Sequence, residues 1–464
     1  MIFGKKKTPK KTEVTTDPMA VAGGGEIHLP NLEIKPIGIA KDTAQGLAIA
    51  ARQLPGYPVS IILLANAISG RADRVLMDFT AQGAAVRYRI DGVWDSLPSL
   101  DRATADGSLA AYKKLLGLNP AERRAKQEAK FGTTFKDVDW VVSFVSSGTQ
   151  SGERVLMTIE TKKPVLKTLA DIGMRDAMAD SFRAMLNDNN GLVLVSAPPT
   201  QGLPTFWRIA LENADKFVRD WISVEDINDK DPEIINVTQN FFDPAKGEDP
   251  LALLQKLLLR QPDVVILPSL VNDGIVQHVF EQVTTQDKHS VSRIVASDTI
   301  DAVHQLLLKH RSQAKNIVKM LRGVVCQRLV RRLCDSCKQP YQPSPQLLQK
   351  LGIPAGRITK LYNPTIPPPP DQRVDANGKP IEIEICKKCN GRGYYGRMGI
   401  FEMLNVDDTM RSGILKYIST PDNLRKFARQ QGNLSFQEEG IAACGLGHTS
   451  LQEIQKMLST KAQA

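Results

Sequence analysis

The sequence predicts an α/β fold: a parallel sheet covered on both faces by helices, preceded by a smaller α+β domain and followed by a cysteine-bearing subdomain. Three observations carry this. From about residue 174 onward, apolar strand-like runs alternate with helical segments, the order that builds a parallel sheet. Two of those runs, GLVLV (191–195) and DVVIL (263–267), carry almost no polar residue, as strands buried on both faces do. Toward the C-terminus stand two Cys-x-x-Cys pairs, CDSC (334–337) and CKKC (386–389), with 48 residues between them.

Taken in order, residues 1–38 read as a basic disordered tail, with lysines at 5, 6, 7, 10 and 11, then GGGE, Pro30 and Pro36. Residues 42–69 place apolar side chains such as Ile61, Leu64 and Ile68 at helical spacing, and Pro55 and Pro58 break them into two helices. RVLMDFT (74–80) and AAVRYRID (84–91) read as strands around a turn at Gln82 and Gly83. Residues 107–128 read as a helix, and 137–146 and 153–160 as two more strands. TKKPVLKTLADIGM (161–174) is a connector. Then come helix 174–187, strand 191–196, helix 205–213, strand 218–224, helix 249–260, strand 263–267, strand 291–296 and helix 300–311. The loop between strand 191–196 and helix 205–213, within VSAPPTQGLPTFWRIAL (195–211), lies at the carboxyl end of a strand, where such sheets bind ligands. PTIPPPP (364–370) is expected to be extended and exposed. Residues 405–464 read as helices.

Composition narrows the class. The 464 residues are 42% apolar and 24% charged, ordinary for a globular chain, and sum to a net charge of +10. No run of eighteen apolar residues is present, and MIFGKKKTPKK lacks the apolar stretch of a secretory signal, so a cytoplasmic chain is expected. The lysine tail is a solvated segment or a contact for anionic lipid. Nucleic acid ranks lowest as a partner, because no aromatic-interleaved basic patch accompanies it.

Four of the six cysteines form the two pairs, which argues metal over disulfide in a reducing compartment. Cys334, Cys337, Cys386 and Cys389 would fill a tetrahedral zinc shell with thiolates and leave no open position for catalysis, so the expected cofactor is a structural Zn2+. Cys326 and Cys444 read as small core residues. His289, His304 and His310 show no ligand spacing with cysteine and read as surface or boundary residues.

From about residue 56 onward, the chain resembles the ATPases that power type II secretion and type IV pilus assembly. VRYRIDGVW (86–94), NPAERRAKQ (119–127), SGERVLMTI (151–159), GVVCQRLVRRLCDSCKQPY (323–341) and CKKCNGRGYYGRMGIFEML (386–404) carry the resemblance. It implies a RecA-like P-loop NTPase core at 186–333, reached through a linker and first helix at 161–185. The remaining expected divisions are an α+β, PAS-like domain at 39–160, a zinc subdomain with its proline-rich insert at 334–400, and C-terminal helices at 401–464. The resemblance further implies a hexamer, or a mixed ring with an active secretion ATPase. It would sit in the cytoplasm, peripheral at the inner membrane beside platform proteins.

Against that pattern the nucleotide motifs depart. In the phosphate loop, Gly-x-x-x-x-Gly-Lys-[Ser/Thr], the first glycine is Ala197, the second is Gly202, the lysine is Leu203 and the hydroxyl position is Pro204, with Thr205 one place late. Proline has no N–H to point at a phosphate, so Pro199 and Pro204 each remove a donor. Pro204 still suits the first turn of a helix. After DVVIL, which opens with Asp263, Ser269 stands where the family has glutamate. Asp298 stands at the histidine of a third motif, and Val141 at an arginine. Glu225, Asp226, Arg87, Arg89 and Arg154 match. Glu225 and Asp226 also suit plain loop caps. Arg87 and Arg89 share one strand face and suit bridges to acidic side chains.

Phosphoryl transfer depends on positioned charge, and a single arginine can be worth about 10³–10⁵ in rate. The sequence therefore predicts a chain that is not an enzyme, with ATP and Mg2+ binding in doubt: a pseudo-ATPase serving as an assembly or regulatory subunit. The alternatives are an active motor with an unorthodox site and a basic membrane- or nucleic-acid-binding module.

Overall fold

The computed structural model describes residues 29–459, apart from 355, 370–371, 374–378 and 380. The lysines of the N-terminal segment lie outside the described residues. Contacts divide the chain into two units, residues 1–165 and 166–464.

The first unit contains β1 (Lys35–Pro36), α1 (Lys41–Arg52), α2 (Tyr57–Ser69), β2 (Ala72–Phe79), β3 (Gly83–Ile90), β4 (Val93–Ser96), β5 (Leu100–Asp101), α3 (Arg102–Leu115), β6 (Gln127–Phe135), β7 (Val138–Thr149) and β8 (Gly152–Thr161). Its antiparallel sheet runs β1-β6-β7-β8-β2-β3-β4, with β5 on β3. Alternation along β2, β3 and β8 aims Val75, Met77, Val86, Tyr88, Val155 and Met157 at one core, where α2 and α3 cover them. Inside that core Lys113 and Glu153 form an ion pair, 0% and 2% exposed, at 2.5 Å.

Two expectations are corrected here. Within the described part of the expected tail, Leu32 and Ile34 are 5% and 4% exposed and β1 pairs with β6, so residues 29–38 belong to this unit. The helix expected over 107–128 starts earlier, where the Asp101 side chain accepts from the Thr104 N–H, and stops at Leu115. Gly117 at φ +69° and then Pro120 end it, and the residues from 127 on pair as β6.

The second unit contains α4 (Asp176–Leu186), β9 (Gly191–Ala197), α5 (Leu203–Glu212), β10 (Trp221–Asp226), β11 (Val237–Phe242), α6 (Pro250–Leu258), β12 (Val264–Leu267), α7 (Asp273–Thr285), β13 (His289–Val295), α8 (Thr299–Lys309), α9 (Ala314–Met320), β14 (Leu321–Leu333), β15 (Gln339–Tyr341), α10 (Pro345–Lys350), β16 (Leu361–Asn363), β17 (Tyr394–Asn405), α11 (Asp408–Lys416), α12 (Pro421–Gln430), α13 (Phe436–Gly445) and α14 (Leu451–Ser459). Its seven-stranded sheet runs β11-β10-β12-β13-β9-β14-β17, parallel except for β17. Every residue of β9 is buried, Ser196 included, as its apolar run Gly191–Val195 requires. Helices α4 and α5 cover one face, and α6, α7, α8, α9, α11 and α12 the other.

β14 and β17 escape pattern reading. β14 carries four arginines in thirteen residues, and its burial comes from its neighbours rather than from alternation. Among the described residues, no single helix is long and apolar enough to cross a membrane. α1 and α2 pass such a test only as a pair bent by 107°, and α2 lies in the core. His289 and His310, expected at the surface or boundary, are 0% and 1% exposed: His289 sits on a central strand, and His310 is held by Asp273 Oδ1 at 2.6 Å. His304 is half-buried.

Candidate functional site

The carboxyl ends of β10, β11, β12 and β13 and the start of α5 surround a cavity of about 360 Å³. The loop from β9 leads to it through Leu203, the first residue of α5. Thr200 (φ +63°) and Gly202 (φ +83°) both turn left-handed, and α5 begins at Leu203 with Pro204 in its first turn, so the helix forms despite the proline. At Gly202 a Cβ would lie 3.1 Å from Gln327 Nε2. Gln327 donates to the Gln201 carbonyl at 2.8 Å, and the Leu329 N–H donates to Gln201 Oε1 at 2.8 Å. β14 thus holds the loop from behind.

Leu203, Glu225, Asp226 and Ser269 line the cavity. Glu225 is 3% exposed and accepts from Ser223 Oγ, from the Asp231 N–H at 2.9 Å and from Gln239 Nε2 at 3.2 Å. Asp226 accepts from the Asn228 N–H at 2.8 Å. Both carboxylates therefore serve the loop after β10. A residue that sequence reading passed over, Arg293 on β13, lines the same cavity. Its Nη1 lies 2.5 Å from Asp231 Oδ1 and its Nη2 3.3 Å from Asp229 Oδ2, and its guanidinium carbon sits 5.6 Å from the Trp207 ring centroid. Trp207 Nε1 donates to the other oxygen of Asp231 at 2.6 Å. Nothing local marks Arg293. It lies in a strand whose neighbours are apolar, and the sheet alone brings it beside residues about sixty positions earlier.

The other residues singled out from the sequence lie elsewhere. Ala197 is fully buried at the end of β9. Asp263 is at the opposite end of the sheet, where Oδ2 accepts from the Asp220 N–H at 2.8 Å. Asp298 caps α8 and pairs with Arg425 at 3.0 Å, in a separate cavity of about 230 Å³ shared with Arg328 and Glu402. Burial, and then the Asp298 charge, push the Glu402 carboxyl above its ordinary range. In the first unit, Arg154 reaches Asp78 at 2.5 Å, Arg87 bonds the same carboxylate, and Arg89 grips Asp73 at 2.7 and 2.8 Å. Burial pushes Asp78 up, but the hydrogen bonds from Arg154 and Arg87 outweigh it and hold its carboxyl below the usual value.

The four cysteines do converge. Cys334 follows β14, Cys389 precedes β17, and the pairing of those strands brings the two knuckles together. All four sulfurs lie within 4.8 Å of one another, with Cys334–Cys386 at 3.9 Å and Cys337–Cys389 at 3.7 Å. Four thiolates at 2.3 Å from a tetrahedral zinc would stand about 3.8 Å apart, so the donor set fits. The backbone N–H groups of Cys389 and Lys388 pull the Cys386 thiol down to about 7, while burial and the neighbouring thiols push Cys337 up. Gly393 (φ +70°) leaves room for Pro364, whose Cβ would lie 2.7 Å from any Cβ added there.

Residues 57–456 match the model of the type II/IV secretion system protein family. The chain belongs to that family. It is 27% identical over 396 residues to type II secretion system protein E of Dickeya dadantii, covering 84% of this chain and 73% of the relative. It is 26% identical to type II secretion system ATPase E of Vibrio cholerae, covering 85% and 74%. With the type IV pilus assembly ATPase PilB of Thermus thermophilus it shares 25% identity, covering 80% of this chain and 39% of that longer protein. In fold it is similar to the ATPase DotB of Yersinia pseudotuberculosis, at a TM-score of 0.55 and 13% identity over 93% of this chain and 98% of the other. The DotB of Legionella pneumophila gives 0.54 and 11% over 86% and 95%. The expectation of a chain that is not an enzyme is overturned by these relatives: over most of its length the chain matches proteins named as ATPases, an enzyme family.

Proposed function

We propose that this chain is a component of a type II secretion or type IV pilus assembly machine, and that the cavity at the strand ends is the family's nucleotide site in a degenerate form. One observation carries the reading. The cavity is of ligand size and correctly placed, yet among the described residues lining it the only cation is Arg293, against Glu225, Asp226 and Asp229. A phosphate cradle works through successive backbone N–H groups and a fixed cation. Leu203 supplies no charge, Pro204 no N–H and Ser269 no carboxylate. ATP and Mg2+ would therefore meet fewer and different contacts here.

The proposed role is assembly or regulation within a ring, either a homohexamer or a mixed ring with a secretion ATPase, on the cytoplasmic side of inner-membrane platform proteins. Zinc at Cys334, Cys337, Cys386 and Cys389 is structural in this reading. The test is calorimetric titration with ATP and Mg2+ of the native chain and of a Leu203→Lys, Pro204→Ser variant. The restored loop is expected to bind at least ~10-fold tighter, since tenfold is about 1.4 kcal/mol, the scale of one charge-assisted hydrogen bond. A native chain that binds ATP as tightly as the restored one would show the cleft to be intact. Co-purification with a secretion ATPase or a platform protein tests the ring.

A further inference from the structure

Arg293 is placed oddly for a residue of a central parallel strand. β13 lies between β12 and β9; Arg293 pairs with Val195 on β9, and the β12 pairing ends one residue before it, at Leu267 and Ser292. A guanidinium there needs a partner, and the chain supplies one at some distance in sequence. Asp231 accepts from Arg293 with one oxygen and from Trp207 Nε1 with the other, while its own N–H is tied to Glu225. Asp231 is therefore fixed from three directions, whereas the second carboxylate on Arg293, Asp229, is 85% exposed and 3.3 Å away. The guanidinium carbon also lies 5.6 Å from the Trp207 ring centroid. The arginine thus stands in the cavity wall with a carboxylate on each Nη nitrogen, Asp231 on Nη1 and Asp229, which also lines the cavity, on Nη2.

We propose that Arg293 is the phosphate-recognising cation of this cleft and that Asp231 is an internal competitor that keeps it engaged until a phosphate-bearing ligand displaces it. This rests on the reading of the cavity as a nucleotide site. A carboxylate and a phosphate oxygen compete for the same two-pronged donor. Arg293 and Trp207 sit on a strand and a helix, and the competing carboxylates on the loop after β10, so the exchange requires movement of the Asp229–Asp231 loop and not of the sheet.

The test is ATP titration, without Mg2+ and at fixed ionic strength, of the native chain, Asp231→Asn, Arg293→Ala and the Asp231→Asn, Arg293→Ala double variant. Asparagine keeps an oxygen for Trp207 and removes the competing charge. Asp231→Asn is expected to bind at least ~10-fold tighter than the native chain, and the double variant is expected to lose that gain. Where Asp231→Asn does not fold, Asp229→Asn replaces it, with a smaller gain that Arg293→Ala again removes. Equal affinity of the native chain and Asp231→Asn, or a gain that survives Arg293→Ala, overturns the latch. The restored-loop variant separates the two readings: ATP binding there without any gain in Asp231→Asn overturns the latch alone, and no binding in any variant overturns the nucleotide site as well.

Discussion

Removing one sulfur from the cysteine cluster should cost this protein its metal and a measurable part of its stability. For a regular tetrahedron the metal–sulfur distance is the edge divided by about 1.63, so edges of 3.9 and 3.7 Å give about 2.3–2.4 Å, the zinc–thiolate distance. The metal would tie Cys337 to Cys386 across the 48 residues between the pairs. By the chain-entropy relation, closing a loop of about 50 residues restricts the unfolded chain by about 4 kcal/mol. For a unit of this size that is a fall of about 10 °C in Tm when the link is lost. The variant is Cys386→Ser, at a half-buried position where serine leaves the packing largely intact. Metal analysis should give one zinc per native chain and much less in the variant, X-ray absorption should show four sulfurs near 2.3 Å, and thermal unfolding should show the drop. A native chain free of zinc, or a variant with unchanged Tm, would refute the reasoning. The loss should register first at the Cys334 end of β14, the strand that holds the loop at Gln201.

Other outcomes follow from single contacts. Burial, and then the nearby Arg219, depress His289 from 6.5 to about 4, so the unfolded state binds the proton more readily. Stability is full above pH 6.5 and falls as the pH drops toward 4, by about 3 kcal/mol when fully developed. Denaturant titrations across pH 4–7 should show this, and His289→Leu should remove that share of the slope. Lys113→Met leaves Glu153 buried and unpaired and should destabilise the first unit by about 3–5 kcal/mol, with much of the loss recovered in Lys113→Met, Glu153→Leu, as guanidinium unfolding will show. Gln201→Ala removes the side-chain tie to the Leu329 N–H, leaving the Gln327 bond to the Gln201 backbone carbonyl, and should speed amide exchange at residues 198–203 without changing global stability by more than about 1–2 kcal/mol.

The local chemistry of this protein was legible in its residues. An apolar run such as Gly191–Val195 has one stable place, the middle of a covered sheet. Pro204 after Gly202 starts a helix whether or not it binds an anion, and Cys-x-x-Cys pairs carry their spacing wherever they are put. These are short-range properties, fixed by backbone sterics and ligand reach. The tertiary structure decided which of the motif positions meet. Strand order in the sheet departs from chain order, so Glu225, Ser269 and Arg293 share one cavity, while Asp263 falls at the far end of its own strand and Asp298 turns to Arg425 and a different cavity. Pairing of β14 with β17 likewise joins the cysteine knuckles and pins the loop, though neither strand shows a usable period. A residue's partners across a sheet depend on register and strand neighbours, and those are set by burial of the whole core, which no window of sequence contains.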